Sequence, residues 1–281
     1  MKQIIFDKYS GAGNDFVLID KKKNPDLNLS AKLISELCDR RFGIGADGVL
    51  LLDQSESMDF KLDYLNSDGT GGMLCGNGAR CALHYVFNNG MEDRDSVTFE
   101  SAGLNYYGEK LSDDEFKFKL NSPGFLHPEF SVTVLGRELK GFYAYTGANH
   151  FVIEFATIRD AFKLNDLHFD SFNVKLFGSE IRNAKEFKPE GANINFVHLE
   201  EGKVYIRTFE KGVEDETLAC GTGSTAAALF LSLKKNIKTP IELITRSKCK
   251  LKVDFKLNGG NFENIFLSGP AKKVFSGTYN Y

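Results

Sequence analysis

Apolar residues in this chain fall into short alternating or continuous runs, divided by Gly, Asn, Asp and Ser. Such runs predict strands: NDFVLI from Asn14, GVLLL from Gly48, FKLDYLN from Phe60, NHFVIE from Asn149, INFVHL from Ile194 and KVYIRTFE from Lys203. Three segments have a different period. SAKLISELCDRRF places Leu33, Ile34 and Leu37 at helical spacing, with Ser30 as the expected N-cap and Gly43 positioned to stop the helix. GNGARCALHYVFNNG and GTGSTAAALFLSLKKN are apolar around most of their circumference, which predicts helices buried on all sides.

These elements recur. Cys75 and Cys220 stand 145 residues apart, each directly before a Gly-x-Gly helix start, and at that offset Tyr64 falls on Phe209 and Asn66 on Lys211. At an offset of 146, Gly45-Ala46-Asp47 falls on Gly191-Ala192-Asn193; at 135, NDFVLI falls on NHFVIE. The order of segments is the same in both halves. The pattern predicts an α/β fold of two pseudo-symmetric domains from an internal duplication. Each is expected to be a strongly curved mixed sheet wrapped around a central buried helix, with the active site in the interdomain cleft. The expected domains are residues 1–123 and 124–265, broken at NSPGF, with residues 266–281 crossing back to complete the first.

Composition narrows the function classes. The formal net charge is −3 over 281 residues, and no basic tract or basic-aromatic stripe is present, so nucleic acid is not an expected partner. No apolar run approaches the roughly 18 residues of a spanning helix. The start, MKQIIFDKYSGAGNDF, lacks the apolar core of a signal peptide. The expected location is cytoplasmic, with no membrane partner. Five cysteines, an odd number at low density, do not suit a disulfide framework. Cys75, Cys81 and His84 lack the close paired spacing of a structural zinc site, so no metal is expected. GIGADG, residues 43–48, fits the letters of a dinucleotide fingerprint, but it follows a helix and precedes a strand, the reverse of the required order.

The two cysteines carry the candidate chemistry. A helix N-terminus offers unpaired N–H groups and partial positive charge, and glycine there lets an anion approach the backbone. A thiol at the same place has its thiolate stabilised, and its pKa falls from about 8.5 toward neutrality. One Cys-Gly-x-Gly start by itself reads as a structural or small core cysteine. A redox-active disulfide is a rival reading, although redox pairs usually lie close together as Cys-x-x-Cys. Two copies at equivalent points of a duplicated chain favour a shared site, with one thiol on each face of a small anionic ligand. Such a pair can remove a proton from one face of a carbon and return one to the other, inverting configuration. The helix mouths would stabilise the enolate-like charge. Neither turn has the Gly-Lys-Ser/Thr ending of a phosphate loop, and nothing points to pyridoxal phosphate.

The motifs GAGNDFVLID, FGIGADGVLLL, NSDG with CGNGARC, GANINFV and FEKGVEDETLACGTG run nearly end to end. In these the chain resembles the diaminopimelate epimerase family, pyridoxal-independent amino-acid epimerases with two catalytic cysteines. The resemblance implies conversion of LL-diaminopimelate to the meso form in lysine and peptidoglycan precursor biosynthesis, a homodimer and no cofactor. It makes Cys75 and Cys220 the acid/base pair. Asn14, Asn66, Asn193 and Glu210 match substrate-contacting positions, and Gly76, Asn77, Gly221 and Thr222 the two carboxylate cradles. On the residues themselves, Asn14 and Asn193 follow Gly-rich turns, where Asn commonly serves the local backbone. Glu210 and Lys211, ahead of an acidic run from Glu214 to Glu216, read by default as a solvated loop. Their place at a strand end before Cys220 suits ligand contact: Glu210 for an ammonium, Lys211 for a distal carboxylate. His150 by itself reads as structural; the resemblance puts it near the substrate.

Three positions depart from the family pattern. Lys211 stands where Arg is usual, and Lys grips a carboxylate as a point charge rather than bidentately. Gly147-Ala148-Asn149-His150 replaces a Gly-Asn/Ser-Pro-His motif, and Gly71 replaces a common Glu. These changes touch substrate reading rather than the cysteines. The alternative within this architecture is a racemase of another amino acid, such as histidine or lanthionine. The alternative outside it is a carboxylate-binding or thiol-redox protein.

Overall fold

The six alternating or continuous runs all form strands in the computed structural model, which describes residues 2–281. One unit comprises residues 2–119 and Ser268–Tyr281; the other is Leu120–Leu267. The first holds β1 (Gln3–Gly11), β2 (Asn14–Asp20), α1 (Ala31–Cys38), β3 (Gly48–Asp53), β4 (Phe60–Asn66), α2 (Gly76–Phe87), β5 (Ser96–Ser101), β6 (Leu104–Lys110) and β7 (Glu115–Lys119). The second begins with β8 (Leu126–Val134), β9 (Arg137–Tyr145), β10 (Asn149–Glu154), α3 (Phe155–Phe162) and α4 (Val174–Arg182). It continues with β11 (Asn193–Glu200), β12 (Lys203–Glu210), β13 (Asp215–Thr217), α5 (Gly221–Lys235), β14 (Ile241–Ile244) and β15 (Lys250–Asn258). The strand β16 (Asn261–Pro270) carries the chain back to the first unit. There β17 (Lys272–Asn280) pairs antiparallel with β1, from Gln3 opposite Asn280 to Ser10 opposite Lys272.

Both units carry the same ladder. Strand β2 is parallel to β3, β3 antiparallel to β4, β4 parallel to β5, and β5 antiparallel to β6. The series β10, β11, β12, β14 and β15 repeats those orientations. Each parallel step contains at least one helix, as a crossover between parallel strands usually does. Register makes the correspondence specific. Phe16 lies opposite Gly48 and Phe151 opposite Ile194, in keeping with the 135 and 146 offsets. The next strand corrects the expected alignment. Leu50 faces Tyr64 while Phe196 faces Arg207, so Tyr64 corresponds to Arg207, and Asn66 to Phe209. A two-residue slip returns every side chain to the same face, so alternation in the sequence does not reveal it.

Both Gly-started helices are buried, as their composition predicts. Ten of the twelve residues of α2 are buried, and of residues 221–231 in α5 only Thr222 is not. Helix α2 touches β1, β2, β3, β4, β6, β7 and β17; α5 touches β9, β10, β11, β12, β14 and β15. In each unit the strands therefore curl around the buried helix. The second unit adds a Phe-rich core beneath α3 and α4, including Phe151, Phe155, Phe172, Phe196 and Phe209.

Helix α1 starts as expected, with Ser30 Oγ accepting from the Leu33 N–H at 3.2 Å. It ends at Cys38, well before Gly43. Asp39 stops it by accepting the N–H groups of Arg41 and Phe42, both at 2.7 Å. The following loop folds back on the helix end. Ile44 and Gly45 donate to Leu37 O and Ala46 to Cys38 O, all at 3.0 Å. A Cβ at Gly43 would collide with Glu36 O. GIGADG thus supplies donors to the orphan carbonyls of a helix C-terminus, and β3 follows it. Among the described residues no helix is long and apolar enough to cross a membrane, and no group of three or more His, Cys, Asp or Glu could hold a metal ion.

Candidate active site

Cys75 is the N-cap of α2 and Cys220 the N-cap of α5. Both have extended backbones, with φ and ψ of −89° and 115°, and −119° and 114°. Neither thiol caps its own helix, so no cap side chain occupies the first-turn N–H groups. Two further cysteines, Cys38 and Cys81, lie in the core. Burial pushes the Cys38 thiol up to about 11 and raises that of Cys81 as well, which keeps both protonated at neutral pH.

At the first mouth, Cys75 Sγ donates to Asn14 Oδ1 at 3.7 Å, and Asn77 Nδ2 donates to the same oxygen at 3.4 Å. Asn14 Nδ2 donates to the Asp47 carboxylate. An anion can only accept, so Asp47 fixes which end of the Asn14 amide faces Cys75. Asp47 in turn pairs with Arg40 at 2.6 Å, and Arg40 grips Asp15 with two bonds of 2.6 and 3.0 Å. The buried Lys8 closes the network on Asp15 at 2.7 Å. Burial pushes the Asp15 carboxyl up, but Arg40 and Lys8 outweigh it and hold the group at about 2. Asn77 is set by the fully buried Arg80, whose Nη2 donates to Asn77 Oδ1 at 2.7 Å and whose Nη1 donates to Gly76 O at 3.1 Å. Cys75, Gly76, Asn77 and Asn14 are therefore gathered together. Asn66 is engaged elsewhere: exposed at the end of β4, it donates to Thr70 Oγ1 at 3.0 Å within the next turn.

At the second mouth, Cys220 Sγ lies 3.5 Å from Thr222 Oγ1, which lies 2.9 Å from His150 Nε2. Thr146 Oγ1 holds the Thr222 carbonyl at 2.9 Å. His150 is fully buried, and burial pushes its pKa from the usual 6.5 down to about 3, so the imidazole is neutral. Its Nδ1 meets Asn195 Nδ2 at 3.1 Å. Asn195 was not among the residues expected from sequence. The one available signal is a polar residue inside a run whose both faces are buried. Asn193 serves the local backbone: its Oδ1 accepts the Lys211 N–H at 2.7 Å and its Nδ2 donates to Asn149 O at 3.2 Å. Half-buried Glu210 ends β12 beside it. The acids that follow are paired with cations. Glu214 pairs with Arg182 at 2.9 Å and Asp215 with Lys175 at 2.7 Å. Glu216 takes the buried Arg207 bidentately, both bonds 2.6 Å. Strand β13 lays Asp215 and Glu216 along β12.

Residues 6–116 and 142–274, which include both helix mouths, match the diaminopimelate epimerase family. The chain belongs to that family. The diaminopimelate epimerases of Flavobacterium psychrophilum and Aquifex aeolicus are each 36% identical to it. The first match covers 96% of this chain and 98% of the relative, the second 97% and 96%. A solved hydroxyproline epimerase from Agrobacterium vitis, with bound trans-4-hydroxy-L-proline, shares the fold at a TM-score of 0.71 and 14% identity, covering 98% of this chain and 92% of its own. The protein is an isomerase of the diaminopimelate epimerase family. In this epimerase Lys211 occupies the place where its family resemblance leads one to expect Arg, and its Nζ donates to Glu190 O at 2.8 Å.

Proposed function

We propose that this enzyme interconverts LL- and meso-diaminopimelate without a cofactor, by proton transfer between the substrate Cα and the thiols of Cys75 and Cys220. What supports the reading is a thiol at the N-cap of each of two buried helices, in a chain that matches this family over residues 6–116 and 142–274. One sulfur, as thiolate, removes the Cα proton; the other, as thiol, delivers its own to the opposite face. The base ends as a thiol and the acid as a thiolate, so protons balance and the pair is set for the reverse reaction. A Cα–H beside a carboxylate is a far weaker acid than a thiol. The charge that develops on the carboxylate oxygens must be met by the N–H groups of Gly76, Asn77, Gly221 and Thr222. Asn14, Asn66 and Asn193 complete the substrate shell, His150 stands behind Thr222, Glu210 meets an ammonium, and Lys211 the distal carboxylate. The reading places the enzyme in lysine and peptidoglycan precursor synthesis, as a cytoplasmic homodimer.

A second reading, a racemase of histidine or lanthionine, is favoured by Lys211. Its ammonium is already engaged on a backbone carbonyl and lacks the fork of Arg. Deuterium incorporation at Cα in D2O, followed for LL-diaminopimelate, lanthionine and histidine, tests both. Diaminopimelate is expected to exchange fastest, and exchange is expected to fall about 10²–10⁴-fold in Cys75→Ala and in Cys220→Ala. Undiminished exchange in either variant would sink the two-thiol mechanism, and preference for another amino acid would move the substrate.

A further inference from the structure

We infer that Asn195 is a positioning residue for Cys220: acting through His150 and Thr222, it sets a hydrogen-bond chain in the polarity that offers the Cys220 sulfur a hydroxyl donor. This assignment rests on the acid/base role proposed for Cys220 above.

The chain starts from the one end whose direction is fixed by carbonyl groups. Asn195 has no exposed surface. Its Oδ1 accepts from Thr208 Oγ1 at 3.0 Å. Its Nδ2 lies 3.1 Å from His150 Nδ1, 3.3 Å from Phe151 O and 3.4 Å from Asn193 O. Turning the amide round would set Oδ1 against two carbonyl oxygens, so the neighbours determine which end donates. A donor aimed at His150 Nδ1 requires that nitrogen to be unprotonated. The imidazole hydrogen therefore sits on Nε2, 2.9 Å from Thr222 Oγ1, and donates to it. Thr222 keeps its own hydrogen for another acceptor, and Cys220 Sγ is 3.5 Å away. In the opposite tautomer, Nε2 would take the hydroxyl hydrogen and the sulfur would lose that donor. The tautomer thus decides whether the thiolate of Cys220 is supported.

Two further observations bear on the chain. It is tightly packed where it passes beneath α5: a Cβ at Gly223 would collide with Asn195 Oδ1 and stand 3.3 Å from Cys220 Sγ. The other mouth is also built differently. There Asn14 presents an acceptor to Cys75, which supports a thiol rather than a thiolate. The duplicated halves have equivalent helices but unlike hydrogen-bond polarity at their sulfurs.

The test reads the chain without substrate. In 15N NMR of histidine-labelled enzyme, His150 is expected to show an unprotonated Nδ1 and a protonated Nε2 from about pH 6 to about pH 9. In the Cys75→Ala enzyme, iodoacetamide labelling of the Cys220 peptide, followed by mass spectrometry at neutral pH, reads the thiolate. Thr222→Val should slow labelling about tenfold or more, and Thr222→Ser should restore it. Asn195→Asp, which draws the imidazole hydrogen to Nδ1, should slow it like Thr222→Val. With both cysteines present, Thr222→Val should lower kcat and spare KM, because the backbone N–H groups remain. A protonated Nδ1 in the parent enzyme, or unchanged labelling in Thr222→Val, overturns the inference. The Thr222 variants keep it falsifiable should Asn195→Asp not fold. A parent enzyme inactive on diaminopimelate would sink the proposed substrate and leave both readouts in force.

Discussion

His150 and Asn14 share a principle at the residue scale: each is oriented by a neighbour that can play only one hydrogen-bonding role. Asp47 can only accept, so Asn14 turns its oxygen to Cys75. Asn195 is pinned by two carbonyls, so His150 is held as one tautomer. Keeping His150 neutral has a pH signature. Between about 6.5 and about 3 the unfolded chain binds a proton that the folded one refuses, so stability is intact above that window and falls as pH drops through it. Thermal melting from neutral to about pH 4 should show this loss, and His150→Gln should flatten that part of the curve; equal slopes in the two proteins would remove the imidazole from the account. The cysteines were legible because they were repeated in the same local setting. Asn195 was not, because alternation marks a polar strand residue as outward-facing. In β11 the other face is covered too, by α5, so Asn195 is buried among donors and acceptors that only the fold assembles.

At the scale of elements, helix starts were easier to read than helix ends. Ser30 announces α1 because an N-cap acts within three residues of itself. The end of α1 depends on N–H groups arriving from residues 44–46, and Gly43 matters because the returning loop passes against Glu36 O. Gly43→Ala is therefore expected to destabilise the protein by about 1–3 kcal/mol, through displacement of the loop rather than loss of a helix stop. Urea unfolding measures it, and a neutral result would return Gly43 to the role of an ordinary terminator. Because Asp47 lies in that loop, the same variant should also disturb Asn14. The six expected strands all formed, whereas their register was not legible, since the two-residue shift between β4 and β12 preserves facing.

At the scale of the whole molecule, the duplication was visible in the order of segments, and the ladders repeat it strand for strand. Fusion of additional elements onto one copy was harder to see: α3 has no partner in the first unit, and its Phe-rich surroundings read from sequence only as scattered aromatics. The closing segment stood out because it had no counterpart in the first half, and β17 covers β1 and touches α2. Ending the chain after residue 267 should thus expose β1 and raise hydrogen exchange across residues 2–119, while residues 120–267 keep their protection. Uniform loss of protection, or none, would show that the two units do not respond separately.

The pairing of β1 with β17 also sets a timetable. Lys2 and Tyr281 exchange backbone hydrogen bonds at 3.1 and 3.0 Å, so a strand made early is neighbour to one made much later. On a ribosome adding about 5–20 residues per second, β1 waits some tens of seconds for its partner. The later-made unit, Leu120–Leu267, emerges whole before β17 does. The unit begun earlier is therefore completed after the one begun later, and until β17 arrives that edge of β1 lacks its strand partner.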